Sequence, residues 1–326
     1  MSTPRSVPCL LLVLAAACSS APQEMPATAQ EALERAEQYL QGGQPGAAKQ
    51  LLLAVDPRSY RGRALERYEV ALARAQLGDG DLYDAYKSIK QFPREHGDSP
   101  LLKDAETIEF QAGARLAARG GGFLGLWTDL GDAEAILEHF IVEYPASVYL
   151  DDALRILGEA AYQQQNWTRA IARFRELLEQ GQDSEWREWA EFRFAMAHYR
   201  LVNGPDYDLG ALELARRELA GYLAGGAKDQ AHLEEARAAL SRVLFWLESK
   251  HMRIARFYRR IGSGWGALRA AEKVLENPET PFGEEARGIV ADAKELIRAG
   301  SSPEPRDGKT IPSLPEEETQ REAVQR

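Results

Sequence analysis

Apolar residues recur along this chain at helical spacing, with small residues at fixed places between them. Residues 151–184 show this most clearly. Leu154, Leu157, Gly158 and Ala161 follow one another at intervals of 3, 1 and 3, and then come Ala170, Phe174 and Leu177. The spacing predicts two amphipathic helices joined by a short turn. Gly158 and Ala170 are small where two helices must approach, and Leu157, Phe174 and Leu177 fill the space between them. The pattern recurs elsewhere. Tyr68, Ala71, Leu72 and Ala75 precede Ala85, Ile89 and Phe92. Ala133, Leu137 and Phe140 form another second helix. Phe194, Ala195 and His198 open a unit stretched by the insert 203–208. Ile254, Ala255 and Tyr258 precede Ala267, Ala271 and Val274. No stretch alternates as a half-buried strand does.

The 151–184 window resembles the tetratricopeptide unit, W-x2-L-G-x2-Y…A-x3-F, with Leu154 at the Trp position and Ala161 at the Tyr position. Such a unit cannot bury its apolar faces alone and must stack on neighbours. The resemblance implies an all-α, tetratricopeptide-like solenoid of about six to seven helix pairs over residues 28–299. Punctuation agrees. Thr28-x-x-Glu31 reads as a capping box. Ser99-Pro100 and Thr280-Pro281 read as an N-cap followed by proline at the first helical position. Gly42-Gly43, Gly78, Gly204-Pro205 and Gly225-Gly226 mark expected helix ends.

The ends differ from the middle. Arg5 precedes an apolar run from Val7 to Ala17, shorter than the roughly 20 residues that span a membrane. Residues 1–17 are therefore expected to be a signal peptide. Cys18 follows Ala15-Ala16-Ala17 and resembles a bacterial lipobox cysteine, with Leu14 one place early. Lipidation at Cys18, with an outer-membrane, periplasm-facing location, stands beside ordinary cleavage after Ala17. Residues 18–27 are an expected tether. Residues 300–326 carry many charges and little apolar matter, and are an expected disordered tail.

The two cysteines are Cys9 and Cys18. A leader and a lipid would account for both, which leaves no disulfide and no thiol metal site. The net charge of −10 speaks against bulk nucleic-acid binding. Catalytic patterns do not emerge. His96, His139, His198, His232 and His251 are scattered without H-E-x-x-H spacing, and neither a phosphate-binding loop nor a nucleophile elbow is present. Gly120-x-Gly122-x-x-Gly125 lacks the strand a dinucleotide site requires. The expectation is a non-enzymatic protein with no cofactor and no metal, acting through protein partners.

Three surfaces are candidates. In the loop 120–129, Phe123, Leu124, Leu126 and Trp127 either plug the core or contact a partner. First-helix positions Asp152, Arg155, Glu159 and Tyr162 are expected to line a binding groove. Arg253, Arg256 and Arg260 share one helical face, either as a solvated face or as a docking site for an acidic partner or anionic headgroups.

In order and content the chain resembles the BamD-type outer-membrane assembly lipoproteins. The residues that carry the resemblance are Cys18 and its tether, then Phe123-Leu124-Gly125-Leu126-Trp127-Thr128-Asp129, then Tyr144-Pro145-Ala146-Ser147. Ile254-Ala255-Arg256-Phe257-Tyr258 follows, with Val274-Leu275-Glu276 and Pro278-x-Thr280-Pro281. The resemblance implies a scaffold in the assembly and insertion of β-barrel outer-membrane proteins. Its N-terminal repeats would engage barrel precursors. Its C-terminal repeats, holding Arg253, Arg256 and Tyr258, would dock on the barrel-forming subunit. A generic envelope scaffold is the alternative. The chain departs from the family in an extra unit near 151–184, in Trp246, in the 203–208 insert and in the long tail.

Overall fold

A computed structural model describes residues 28–120, 127–181 and 183–300. Among the described residues the chain is helical, without strands, and forms two compact units divided after Leu101. The expected signal peptide, the tether with Cys18 and the 301–326 tail lie outside the described residues.

The first unit holds α1 (Ala29–Gln41), α2 (Pro45–Leu53), α3 (Arg63–Asp79), α4 (Leu82–Ile89) and the single turn α5 (Phe92–Glu95). Thr28 caps α1 as expected, accepting from the Glu31 N–H. Leu33, Ala36, Leu52, Tyr68 and Ala75 form the core, with Tyr60 stacked on Tyr68 at 4.6 Å. Gly78 does not end α3. The helix runs on to Asp79, and Gly80 at φ 93° terminates it. Gly78 is small because Pro45 at the start of α2 presses against it: an added Cβ would lie 2.7 Å from the proline Cβ. Phe92 does not continue α4. Pro93 cannot donate to the carbonyls behind it, so the chain breaks and restarts as α5, with Phe92 still buried.

The second unit holds α6 (Leu102–Gly120), α7 (Trp127–Glu143), α8 (Leu150–Gln163), α9 (Trp167–Gln180), α10 (Arg187–Leu201), α11 (Leu209–Ala224), α12 (Gln230–Arg260), α13 (Gly264–Val274) and α14 (Gly283–Arg298). Each helix packs on the next, and first helices touch the next first helix: α6 on α8, α10 on α12, α12 on α14. The described residues thus contain two pairs in the first unit, four in the second, and α14 as a terminal helix. This is an all-α helical-repeat fold, as the periodicity predicted. Gly158 admits Phe174 so closely that a Cβ would stand 2.4 Å from the ring, and Phe174 is fully buried.

α12 joins what the periodicity separated. Its 31 residues serve two cores. Leu233, Ala236, Val243 and Leu247 pack with α10 and α11. Met252, Ile254, Ala255 and Tyr258 pack with α13 and α14.

Ser99 and Thr280 do not cap their helices. α6 and α14 begin at Leu102 and Gly283, and each hydroxyl instead accepts the N–H two residues on, closing a turn before the helix. Each also donates to a carboxylate on an earlier first helix. Ser99 reaches Glu66 on α3 at 2.6 Å, within the first unit. In the second unit Ser147 reaches Glu106 on α6, and Thr280 reaches Glu248 on α12 at 2.7 Å. Glu248 also accepts from Asn277 Nδ2 at 2.7 Å. Glu188 on α10 does the same task through backbone, accepting from the N–H groups of Lys228 and Asp229 that lead into α12. Those two bonds hold its carboxyl below the usual range. Within the second unit a recurring carboxylate latch therefore fixes α8, α12 and α14 each against an earlier first helix, and it explains the Tyr144-Pro145-Ala146-Ser147 corner: Tyr144 is buried against Phe140 while Ser147 latches.

Candidate functional site

Arg155, Glu159 and Tyr162 sit at i, i+4 and i+7 and so share one face of α8, which meets α10. The Arg155 guanidinium lies 4.3 Å over the Trp186 ring and 3.6 Å from Asp152. Glu159 pairs with Arg193 of α10 at 3.1 Å. The Arg193 guanidinium also covers Tyr162 at 4.8 Å and Trp189 at 5.5 Å. The predicted groove residues are thus brought together, but as a cation–aromatic seam between consecutive first helices, not as an open lining. Guanidinium on aromatic is a stiff contact, worth about 0.5–1 kcal/mol at such half-exposed places.

One step along the row the seam opens. Tyr199 of α10 stacks on Trp246 of α12 at 5.9 Å and 16°. Arg242 donates to Tyr199 Oη at 3.3 Å. Arg200 lies 5.6 Å over the Tyr199 ring and 3.7 Å from Glu235. Met196, Ala238 and Ala239 also line a cleft of about 170 Å³ between the two helices. The Arg200 and Glu235 side chains are about half exposed, at 48% and 51%. The cleft offers two guanidiniums, one carboxylate and an aromatic wall on rigid helices. That chemistry suits a peptide side chain with an acidic or aromatic end. Its sequence signal was faint, because Tyr199 lies on α10 and Arg242 and Trp246 on α12, with α11 between them.

A second depression of about 610 Å³ is lined by Leu130, Gly131, Glu134 and Gln163 to Gln165, where α7 begins and α8 turns into α9. Phe123, Leu124 and Leu126 of the predicted apolar loop lie outside the described residues, and Trp127 opens α7.

The basic stretch of α12 is used internally. Arg253 donates to Pro205 O at 2.8 Å and pairs with Asp206, while Lys250 donates to Tyr207 O at 2.6 Å. These two cations clamp the 203–208 insert onto α12. Burial, then the neighbouring Arg253 charge, lowers the Lys250 pKa. Arg256 forms a two-bond pair with Glu285 of α14 at 2.7 and 2.6 Å, and Arg259 lies 3.6 Å from Asp292. Arg260 ends α12, and it too has an interaction within the protein. Sharing a helical face therefore does not make Arg253 and Arg256 one patch, since one turns to the insert and the other to α14.

Exposed apolar side chains gather where Phe245 of α12, 48% exposed, stacks on Phe282 at 5.8 Å beside Leu244. In the first unit, Glu69, Glu95 and His96 place their ligand atoms within 4.8 Å of one another. The histidine spacing gave no hint of this, because Glu69 comes from α3, two helices upstream.

No protein-family model matches this chain, and comparison with curated proteins gives no match.

Proposed function

We propose that this chain is a lipid-anchored scaffold at the periplasmic face of the outer membrane that binds protein partners during assembly and insertion of β-barrel proteins. The observation that carries a scaffold role is the row of first helices α8, α10 and α12. Its seam is closed by Arg155, Glu159, Tyr162 and Arg193 and opens at the cleft between Tyr199 and Arg242, where Trp246 stacks behind Tyr199. There two guanidiniums stand at the surface of a chain whose net charge is −10. Buried aromatic anchors rimmed by Arg are the usual carriers of protein-binding energy. The assignment to barrel assembly rests on the resemblance carried by Tyr144-Pro145-Ala146-Ser147 and Ile254-Ala255-Arg256-Phe257-Tyr258.

Depletion tests it. Loss of integral β-barrel proteins from the outer membrane is expected, and normal barrel levels after full depletion would refute the role. A photocrosslinker replacing Arg242 should capture an envelope protein, and Trp246→Ala should abolish that capture. Membrane fractionation unchanged by Cys18→Ser would overturn the anchor. One observation favours the alternative, an envelope scaffold without a role in barrel insertion. Arg253 and Arg256, which the resemblance assigns to docking, already have intramolecular partners.

A further inference from the structure

The geometry points to a divalent-metal site of the zinc class in the first unit, formed by His96 Nε2 and the carboxylates of Glu69 and Glu95. His96 Nε2 stands 3.2 Å from Glu69 Oε2. Zinc binds nitrogen and oxygen at about 2.0–2.2 Å, so neighbouring ligands around a tetrahedral ion stand roughly 3.3–3.5 Å apart. The observed ion-pair separation is close to that spacing, so an ion can join the two groups with little movement of either. Glu95 is exposed, and its oxygen is already within 4.8 Å of the other two, so a rotamer adjustment closes the set. One imidazole and two carboxylates suit zinc and its first-row neighbours better than magnesium or calcium. The fourth position would be left to water.

Two further observations support a cation here. The His96 Nε2 atom is shielded from solvent and faces the Glu69 carboxylate. Glu69 is only partly exposed, and the Glu95 carboxylate stands beside it with one imidazole between two acids. A dication would offset this excess of negative charge. The ligands are also held in place. The His96 N–H bonds to Phe92 O at 2.8 Å, its carbonyl accepts from the Ser99 N–H at 2.9 Å, and its ring lies against buried Phe92 at 5.0 Å. Glu69 lies between buried Tyr68 and Val70 on α3. The ion would add a further tie between the short α5 turn and α3.

The test is calorimetric titration of the chelator-stripped full chain with Zn²⁺ alone at neutral pH. One equivalent with micromolar or tighter affinity is expected. His96→Asn and Glu69→Gln should each weaken binding by at least about 10-fold. Glu95→Gln, at an exposed position where folding is preserved, should weaken it as well. His232→Asn, on a histidine outside the cluster, should change nothing. Zn²⁺ should also raise the thermal midpoint of the wild-type chain and not that of His96→Asn. No binding at micromolar zinc, equal binding by the wild type and the Glu95→Gln chain, or loss of binding in His232→Asn would each overturn the assignment.

Discussion

Gly158→Ala and Gly221→Ala put the same methyl group on two helices and should move stability in opposite directions. In both helices alanine is intrinsically better than glycine by about 1 kcal/mol. At Gly221, on α11, an added Cβ meets nothing within 4 Å, so the full gain of about 1 kcal/mol is expected. At Gly158 the Cβ would stand 2.4 Å from Phe174 Cε1 and 2.7 Å from Cδ1. Both are far inside ordinary carbon contact of about 3.5–4.0 Å. Phe174 is fully buried in the α8–α9 core and cannot swing to solvent. Overpacking of this kind costs about 1–3 kcal/mol, and the steepness of this clash puts it at the upper end. Set against the propensity gain, the net loss is about 1–2 kcal/mol. Repeat arrays often unfold piecewise, so the assay is hydrogen exchange of α8 and α9 amides together with urea unfolding. Phe174→Leu should relieve the clash, giving a coupling of about 1–2 kcal/mol with Gly158→Ala in a double-mutant cycle. If Gly158→Ala protects α8 and α9 as well as the wild type does, close helix approach is not what selects glycine there.

Removing the Glu248 latch by Glu248→Ala leaves Asn277 and Thr280 without their buried acceptor. It should cost about 2–3 kcal/mol, seen as earlier exchange of α14 than of α12. Arg253→Ala with Lys250→Ala removes both clamps on the 203–208 insert. Limited proteolysis should cut near Tyr207 while the urea midpoint moves by no more than about 1 kcal/mol. Burial lowers the pKa of His198, faced by Glu218, Arg175 and Arg217, and of His251, faced by Glu213, Lys273, Glu276 and Lys250. The unfolded chain then takes up protons first as pH falls below about 6.5, so the stability these neutral rings contribute is present above that value and lost below it. Urea midpoints measured from about pH 7 down to 5.5 should fall, and His198→Asn with His251→Asn should flatten the slope.

The helices were legible because their signal is local. Leu154, Leu157 and Gly158 lie on one turn or the next, and so do Ala170 and Phe174. What decides them, burial on one stripe, repeats every turn. Small residues were legible too, since Gly158 has no reason to sit in a helix interior unless something passes close. Errors came where one local preference met a tertiary partner. Ser99 and Thr280 have the chemistry of N-caps, yet their hydroxyls also donate to Glu66 and Glu248, and the turn that reaches those carboxylates delays each helix by two residues. The surroundings of the candidate sites were hidden for a different reason. Arg253, Arg256 and Arg260 follow one helical stripe, but long cations choose partners by reach. Asp206 and Glu285 belong to neighbours whose positions no periodicity reveals. The same holds for Tyr199, Arg242 and Trp246, and for Glu69 with Glu95 and His96. Each set is assembled from first helices or turns separated by a whole intervening helix. In a stacked repeat the pairs are written in the chain, while the surfaces are written in the offset between pairs. That offset is set here by carboxylate latches such as Glu106 to Ser147 and Glu248 to Thr280. A latch variant should therefore disturb the α10–α12 cleft only where the latch borders it. Glu188→Ala, which releases the lead into α12, should lower partner capture at Arg242, and Glu106→Ala should leave it intact. Equal loss in both would mean that the cleft depends on overall stability and not on the register of α10 and α12.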